Sequence, residues 1–553
     1  MLKLTKHRFG LTEGLVLLLA LAFAGTGSAA GPLSDDAILD QLIDGYIATE
    51  RSAGGLEPVT LRAFEQRLEK QTSLLAALEN VDESRLSFDG KIDRKLLRGI
   101  LEADIETAKK RRPWATVPTL YLPASLMGET LKKWQLKQLT DSELMEFLGR
   151  IGPRIKAARA NLEAPPRRFT ESAIFQLQQL LVSLETVTVK PDSLLAQSVA
   201  ATVEQLQAYL LFLQKTLLPL SNGDWAIGRE HYSYILSRRW HMDTTAEAII
   251  QRGENAFAET EALAQAASER LDPGKHWSEV YDALTASHPS AAGLKEAYQN
   301  AIDSAQAFVL EQGIVSLPRG EQVVTLDTPP YMRRSSPYGT FDGVDPFGTE
   351  LVGRLLLTPI EEGLDAEARE QRLRGHHSAW IPVIAVHEAY PGHHVHALKI
   401  RENPRPLRRV VHEPIFSEGW GLFTEELMFE AGFLEGDAVR LTQLRNRLWR
   451  AARVILDASL HSGAMSFDEA VQFLVDRVRF DPMAASLEVG MYIRNPTYVL
   501  GYLIGMQEIA AIRDDFYRIN GQPEHPRDFY DELLKTGAMP PALVREVMFR
   551  DSL

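Results

Sequence analysis

The sequence predicts a mostly α protein, a large two-lobed helical fold with a small β-sheet beside one histidine-bearing helix. Three observations carry this expectation. From Gly31 to about Leu317 apolar residues recur at helical period. A β-branched, Pro- and Gly-rich interruption follows, and helical periodicity resumes near Asp365 and runs on to the C-terminal end. The expected organisation is a signal segment over 1–30 and a single two-lobed unit over 31–553, with residues 31–320 as a mainly helical lobe and 321–553 as the lobe that carries the chemistry.

Taken in order, residues 1–30 begin with Lys3, Lys6, His7 and Arg8, continue through the apolar run Leu15–Ala24, and end on Ser28-Ala29-Ala30. Ten apolar residues are too few for a membrane span, which needs about 20. A basic start, a short apolar run and small residues before a cleavage point form a secretory signal pattern. Helical patterns then cover Asp35–Glu50, Thr60–Leu78, Thr140–Asn161, Ser193–Leu218, Thr245–Leu271 and Ser290–Gly313. In the fourth of these, Leu195, Val199, Val203, Leu206, Leu210, Leu213 and Leu217 make one apolar stripe, with Asp192 as the expected cap and Pro219 as the stop. Gln322–Leu326 and Arg354–Thr358 read as short strands. Between them Thr328–Gly348 holds four Pro and three Gly in 21 residues and reads as a structured loop.

Composition narrows the chemistry. Hydrophobic residues make up 45% of the chain and charged residues 24%, which excludes a disordered or collagen-like chain. The formal charge of −14 is unsuited to nucleic acid or anionic membranes, both of which select basic footprints. There is no cysteine. Disulfides, thiol nucleophiles, iron–sulfur clusters and cysteine-ligated zinc are thereby excluded, and any metal site must be built from His, Asp and Glu.

Seven of the 14 histidines fall between His376 and His412, around the stretch WIPVIAVHEAYPGHHVHALKI that starts at Trp380. A hydrolytic zinc takes three protein ligands and keeps one position open. His387-Glu388 at the end of an apolar helix offers one ligand and one base. In the usual H-E-x-x-H pattern the second histidine lies one turn further on. Here that place is Pro391, and the next histidines are His393 and His394. In an unbroken helix a residue seven positions on lies about 10.5 Å along the axis, too far to share a metal. Pro391 removes an amide and Gly392 adds freedom, so the helix should bulge or break there. His393 then drops into the vacant place and is the preferred second ligand, with His394 as the alternative. Glu418, in the segment FSEGWGLFTEE, is a candidate third ligand. Glu425, seven residues on along the same face, is a candidate to orient a histidine. In Gly490–Met506, Asn495-Pro496 reads as a helix start. Tyr498 and Tyr502 follow one turn apart, and a phenol aimed at a metal site can donate to an oxyanion. Arg333, Arg334 and Arg494 are candidates for a peptide carboxylate.

At these residues the chain resembles the bacterial domain-of-unknown-function 885 family. The His-Glu-x-x-Pro-Gly-His motif is matched by His387 through His393, the Glu-Gly-Trp…Glu motif by Glu418, Gly419, Trp420 and Glu425, and a Pro…Tyr…Gly helix by Pro496, Tyr502 and Gly505. That family resembles, more distantly, helical glutamate zincins of the thimet-oligopeptidase and angiotensin-converting-enzyme type. The resemblance implies a zincin-like fold, Zn2+ held by His387, His393 and Glu418, Glu388 as base and Tyr502 as oxyanion donor. It implies an exported, periplasmic or secreted zinc metallopeptidase that hydrolyses short peptides in an oligopeptidase or carboxypeptidase-like manner. The alternatives are a metal-dependent hydrolase of a non-peptide amide or ester, or a catalytically silent metal- or peptide-binding protein.

Overall fold

Helices begin where the sequence caps them. Thr60, Ser193, Thr245 and Asp481 each accept an amide of the first turn with their side chains, and Thr140 and Ser466 form reciprocal capping boxes with Glu143 and Glu469. The computed structural model describes residues 33–550 apart from 53–58, 186, 188, 330, 331, 334, 335, 337 and 362. The segment 1–30, expected to be a signal, and Arg334 lie outside the described residues. The rest is a mostly α protein with a small three-stranded sheet.

Three predicted elements differ in detail. Thr140–Asn161 is two helices, Asp141–Gly149 and Ile151–Asn161. Pro153 sits in the first turn of the second, where its missing amide costs no hydrogen bond. The cap before Leu194 is Ser193 rather than Asp192, because Asp192 occupies a left-handed turn at φ 61°. The stripe helix runs as Leu194–Phe212 and then widens to a π-turn over Leu213–Leu217. Pro219 withholds the amide that would have bonded Lys215, which matches this loosening. The stripe itself is buried or half-buried throughout.

The sheet contains β1 (Gln322–Asp327), β2 (Gly339–Asp342) and β3 (Val352–Leu357) in the order β1-β3-β2. β1 runs parallel to β3 with Val323 opposite Gly353, and β2 runs antiparallel to it with Phe341 opposite Leu355. β2 lies inside the stretch whose Pro and Gly content predicts a loop, and pairing with β3 makes it a strand.

Two hydrophobic cores divide the described chain. The smaller gathers Val59 and residues from Tyr121 to Leu217. The larger joins Leu39–Ile105 and Tyr232–Val315 to the C-terminal half, so helices from both ends of the sequence surround the histidine-rich segment. Its spine is the Ala246–Leu271 helix lying along the Asp437–His461 helix. Among the described residues no helix is long and apolar enough to cross a membrane.

Candidate metal and active site

The apolar helix Ile381–Glu388 ends at its Glu, and a new helix, His393–Ile400, begins five residues later. The turn between them is tightly wound. The Gly392 amide donates to the Val386 carbonyl at 3.1 Å, and the Trp420 indole donates to the Pro391 carbonyl at 2.8 Å. A Cβ on Gly392 would stand 1.8 Å from the His387 carbonyl oxygen, so only glycine fits. The result is the expected break. The rings of His387 and His393 meet edge to face with centroids 4.8 Å apart.

The helix Pro414–Glu430 crosses beneath. A Cβ on Gly421 would lie 2.8 Å from the His387 ring, so glycine lets the imidazole settle on this helix. From the same helix Glu425, buried, accepts from His387 Nδ1 at 2.8 Å, which leaves Nε2 as the free nitrogen. Glu418 Oε2 lies 3.4 Å from His393 Nε2 and 4.0 Å from His387 Nε2. Ligand atoms of His387, Glu388 and His393 all fall within 4.8 Å of one another. Burial opposes charge on Glu418, but the hydrogen bond and charge of His393, with His387 and Arg453, hold its carboxyl down to about 2. Burial likewise opposes charge on His393, and Glu418 overcomes it, pushing the imidazole up to about 9.

His394 faces the other way. It is fully buried, its Nε2 is 2.9 Å from Glu321 Oε2, and the Tyr390 hydroxyl donates to the same oxygen at 2.6 Å. Of the two candidates, His393 is the one brought to the cluster, and His394 braces the wall behind it.

The tyrosines arrive on the Gly501–Asn520 helix and the 3-10 turn Tyr498–Leu500 before it. Asn495-Pro496 does not open this helix. Asn495 closes the preceding one, Pro482–Arg494, and Thr497 turns left-handed at φ 68° with its amide on buried Asp457 at 2.9 Å. Gly505 packs so closely on Gly419 and the Ile415 carbonyl that a Cβ would stand 1.7 Å from that oxygen. This contact draws the tyrosines towards Glu418. Tyr498 donates to Glu418 Oε1 at 3.2 Å. Tyr502 lines the open space beside the cluster, its phenol raised by burial and by Glu418.

That space is a cavity of about 720 Å³ walled by His387, Glu388, His393 and Glu418, by β2 from Gly339 to Phe341, and by Tyr502, Arg450 and Arg453. Thr340 and Phe341 also line a neighbouring cavity of about 1060 Å³. Arg333 and Arg494 do not line the first cavity. Arg333 donates to the Thr328 carbonyl and Arg494 to the Ser172 hydroxyl, so both are spent on holding the chain. Arg450 and Arg453, which line it, were missed. Both are buried at 5% exposure, a placement that only the tertiary structure reveals. His412, stacked on Tyr498 with centroids 6.0 Å apart, also lines the cavity.

A model of the family described as bacterial protein of unknown function (DUF885) matches residues 45–548. The chain belongs to the DUF885 family. No curated protein matches it. Among solved structures, it is similar to a candidate lipoprotein of unknown function from Shewanella oneidensis, with a TM-score of 0.76, 18% identity, and coverage of 94% of this chain and 100% of that one. It is also similar to a candidate lipoprotein from Colwellia psychrerythraea, with a TM-score of 0.69, 16% identity, and coverage of 94% and 99%. At such identities the likeness shows a shared fold alone.

Proposed function

We propose that this DUF885 protein is an exported zinc metallopeptidase acting on short peptides. The observation that carries the reading is the convergence of His387 Nε2, His393 Nε2 and Glu418 Oε2, with Glu388 beside them, on one open cavity. With bonds of about 2.0–2.1 Å, ligand atoms of a tetrahedral zinc stand about 3.3–3.4 Å apart. The separations of 3.4 and 4.0 Å fit that requirement with little movement. Two imidazole nitrogens and a carboxylate are the hydrolytic zinc donor set, and Glu425 supports His387 as such ligands are commonly supported. Export is supported by the signal pattern in residues 1–30 and by the lipoprotein description of the two structural neighbours.

Zinc, when bound, supplies a Lewis acid that polarises the scissile carbonyl and acidifies water. The chain's own groups do the rest. Glu388 takes a proton from water at its carboxylate as the carbonyl is attacked, then returns it to the leaving amine. Tyr502 donates its phenol O–H to the developing oxyanion. Tyr498, through Glu418, and Glu425, through His387, keep the donor atoms aimed. An extended peptide can add itself to a free strand edge. β3 is bonded on both edges, whereas β2 is an edge strand that lines the cavity and is the strand such a peptide joins.

The test is metal analysis followed by hydrolysis of a mixed short-peptide library, with and without chelator. Cleavage that chelator abolishes and zinc restores is expected. A zinc-loaded protein that cleaves no peptide overturns the reading.

A further inference from the structure

Arg450 is buried, 5% exposed, and it faces the cavity. Its guanidinium lies over the Trp449 ring at 4.4 Å and 5.5 Å from the Tyr502 ring. Nε and Nη1 are buried without a hydrogen-bond partner, and among the described residues no carboxylate comes within ion-pair distance of it. Its neighbour three residues on is different: Arg453 is held by Glu488 at 3.2 Å. A buried guanidinium with no anion is costly, and a planar fork of donors matches a carboxylate. Arg453 has Glu488 in direct contact, whereas the acid that acts on Arg450, Glu425, does so from beyond ion-pair distance and leaves its donors unmatched. We infer that Arg450 binds a carboxylate of the substrate.

This rests on the peptidase reading and deepens it, because it names the substrate class as peptides that bring a carboxylate to this wall. Tyr502, which lines the same cavity, has Arg453 and Arg450 against its ring, and Glu418 raises its phenol. Peptides have two sources for such a group, the C-terminal carboxylate and an acidic side chain.

Binding distinguishes the sources and does not need turnover. Three probes are titrated calorimetrically into the full chain, as purified and again after chelation: Ala-Ala-Ala free acid, its C-terminal amide, and Ala-Glu-Ala amide. Chelation removes both hydrolysis and any direct bond between metal and carboxylate. The wild type is expected to bind at least one carboxylate-bearing probe at least tenfold more tightly than the neutral amide. The preferred probe identifies the source. Arg450→Gln is expected to erase that preference, and Arg450→Lys to keep part of it. If wild-type protein binds all three probes alike, the inference is overturned without using any variant. It is also overturned if folded Arg450→Gln retains the preference. A protein that cleaves no peptide yet shows the preference overturns the peptidase reading and leaves the carboxylate site standing.

Discussion

Glu388 and Glu425 are carboxylates with separate tasks. Glu388 stands beside the donor atoms and faces the cavity, whereas Glu425 is buried against His387 Nδ1. Glu388→Gln should therefore keep its metal and lose about 10²–10⁴-fold in peptide hydrolysis, the usual worth of a general base. Metal content and initial rates on one protein sample check this, and full activity in the variant contradicts the assignment. Glu425→Ala should lower zinc affinity by about 10–100-fold, as loss of a ligand's supporting partner commonly does. Competition with a chromogenic chelator measures it. Tyr502→Phe should cost about 10²–10³ in kcat with metal content unchanged, the magnitude expected for one oxyanion donor. At this scale the sequence was informative where chemistry is local. His387, Glu388, Pro391, Gly392 and His393 lie within seven positions, and Glu418 and Glu425 share one helix face. Arg450 and Arg453 were not legible, because an arginine in a helix reads as solvated until the tertiary structure buries it.

Two glycine contacts between elements make the site possible. Gly392 lets one helix stop and another start within hydrogen-bonding reach, and Gly505 lets the tyrosine helix touch the Glu418 helix. Gly505→Ala would press a methyl on the Ile415 carbonyl and should destabilise the fold by about 1–3 kcal/mol, the typical cost of overpacking. A lowered urea midpoint with an unchanged slope would register this, and an unchanged midpoint would contradict the close packing. The helical elements were readable from period and caps, and the break at Pro-Gly from proline's missing amide. β2 was not, since four residues in a Pro- and Gly-rich stretch become a strand only by pairing with β3. The Asn495-Pro496 start failed for a similar reason. A distant carboxylate, Asp457, captures the Thr497 amide and postpones the helix.

Across the whole molecule, burial sets a pH signature. Burial pushes His376 and His377 down to about 4 and His396 and His461 down to about 3. The unfolded chain takes up those protons near pH 6.5, so the stability these groups allow is complete above that pH and is lost as pH falls towards 4. Burial acts the other way on carboxyls, raising Asp457 to about 7 and Glu413 to about 8 and moving Asp104, Asp282 and Glu532 upward as well. Their contribution is present below about pH 4 and is lost as pH rises through 7 to 8. His393, held up to about 9 by Glu418, adds to that upper loss in chelated protein. With His231, His241 and His412 also lowered by burial, seven histidines outweigh the five raised carboxyls on the acid side, so the Tm of chelated protein should rise from pH 4, peak near 6.5 and decline towards 9. A Tm that is flat over this range contradicts the buried neutral histidines.

The claim on which the rest depends is that His387, His393 and Glu418 share one ion. Anomalous diffraction at the zinc edge, from crystals of the full chain grown with zinc, tests it directly. One strong peak is expected within bonding distance of His387 Nε2, His393 Nε2 and Glu418. A peak at His394 and Glu321, or none near His387, contradicts it.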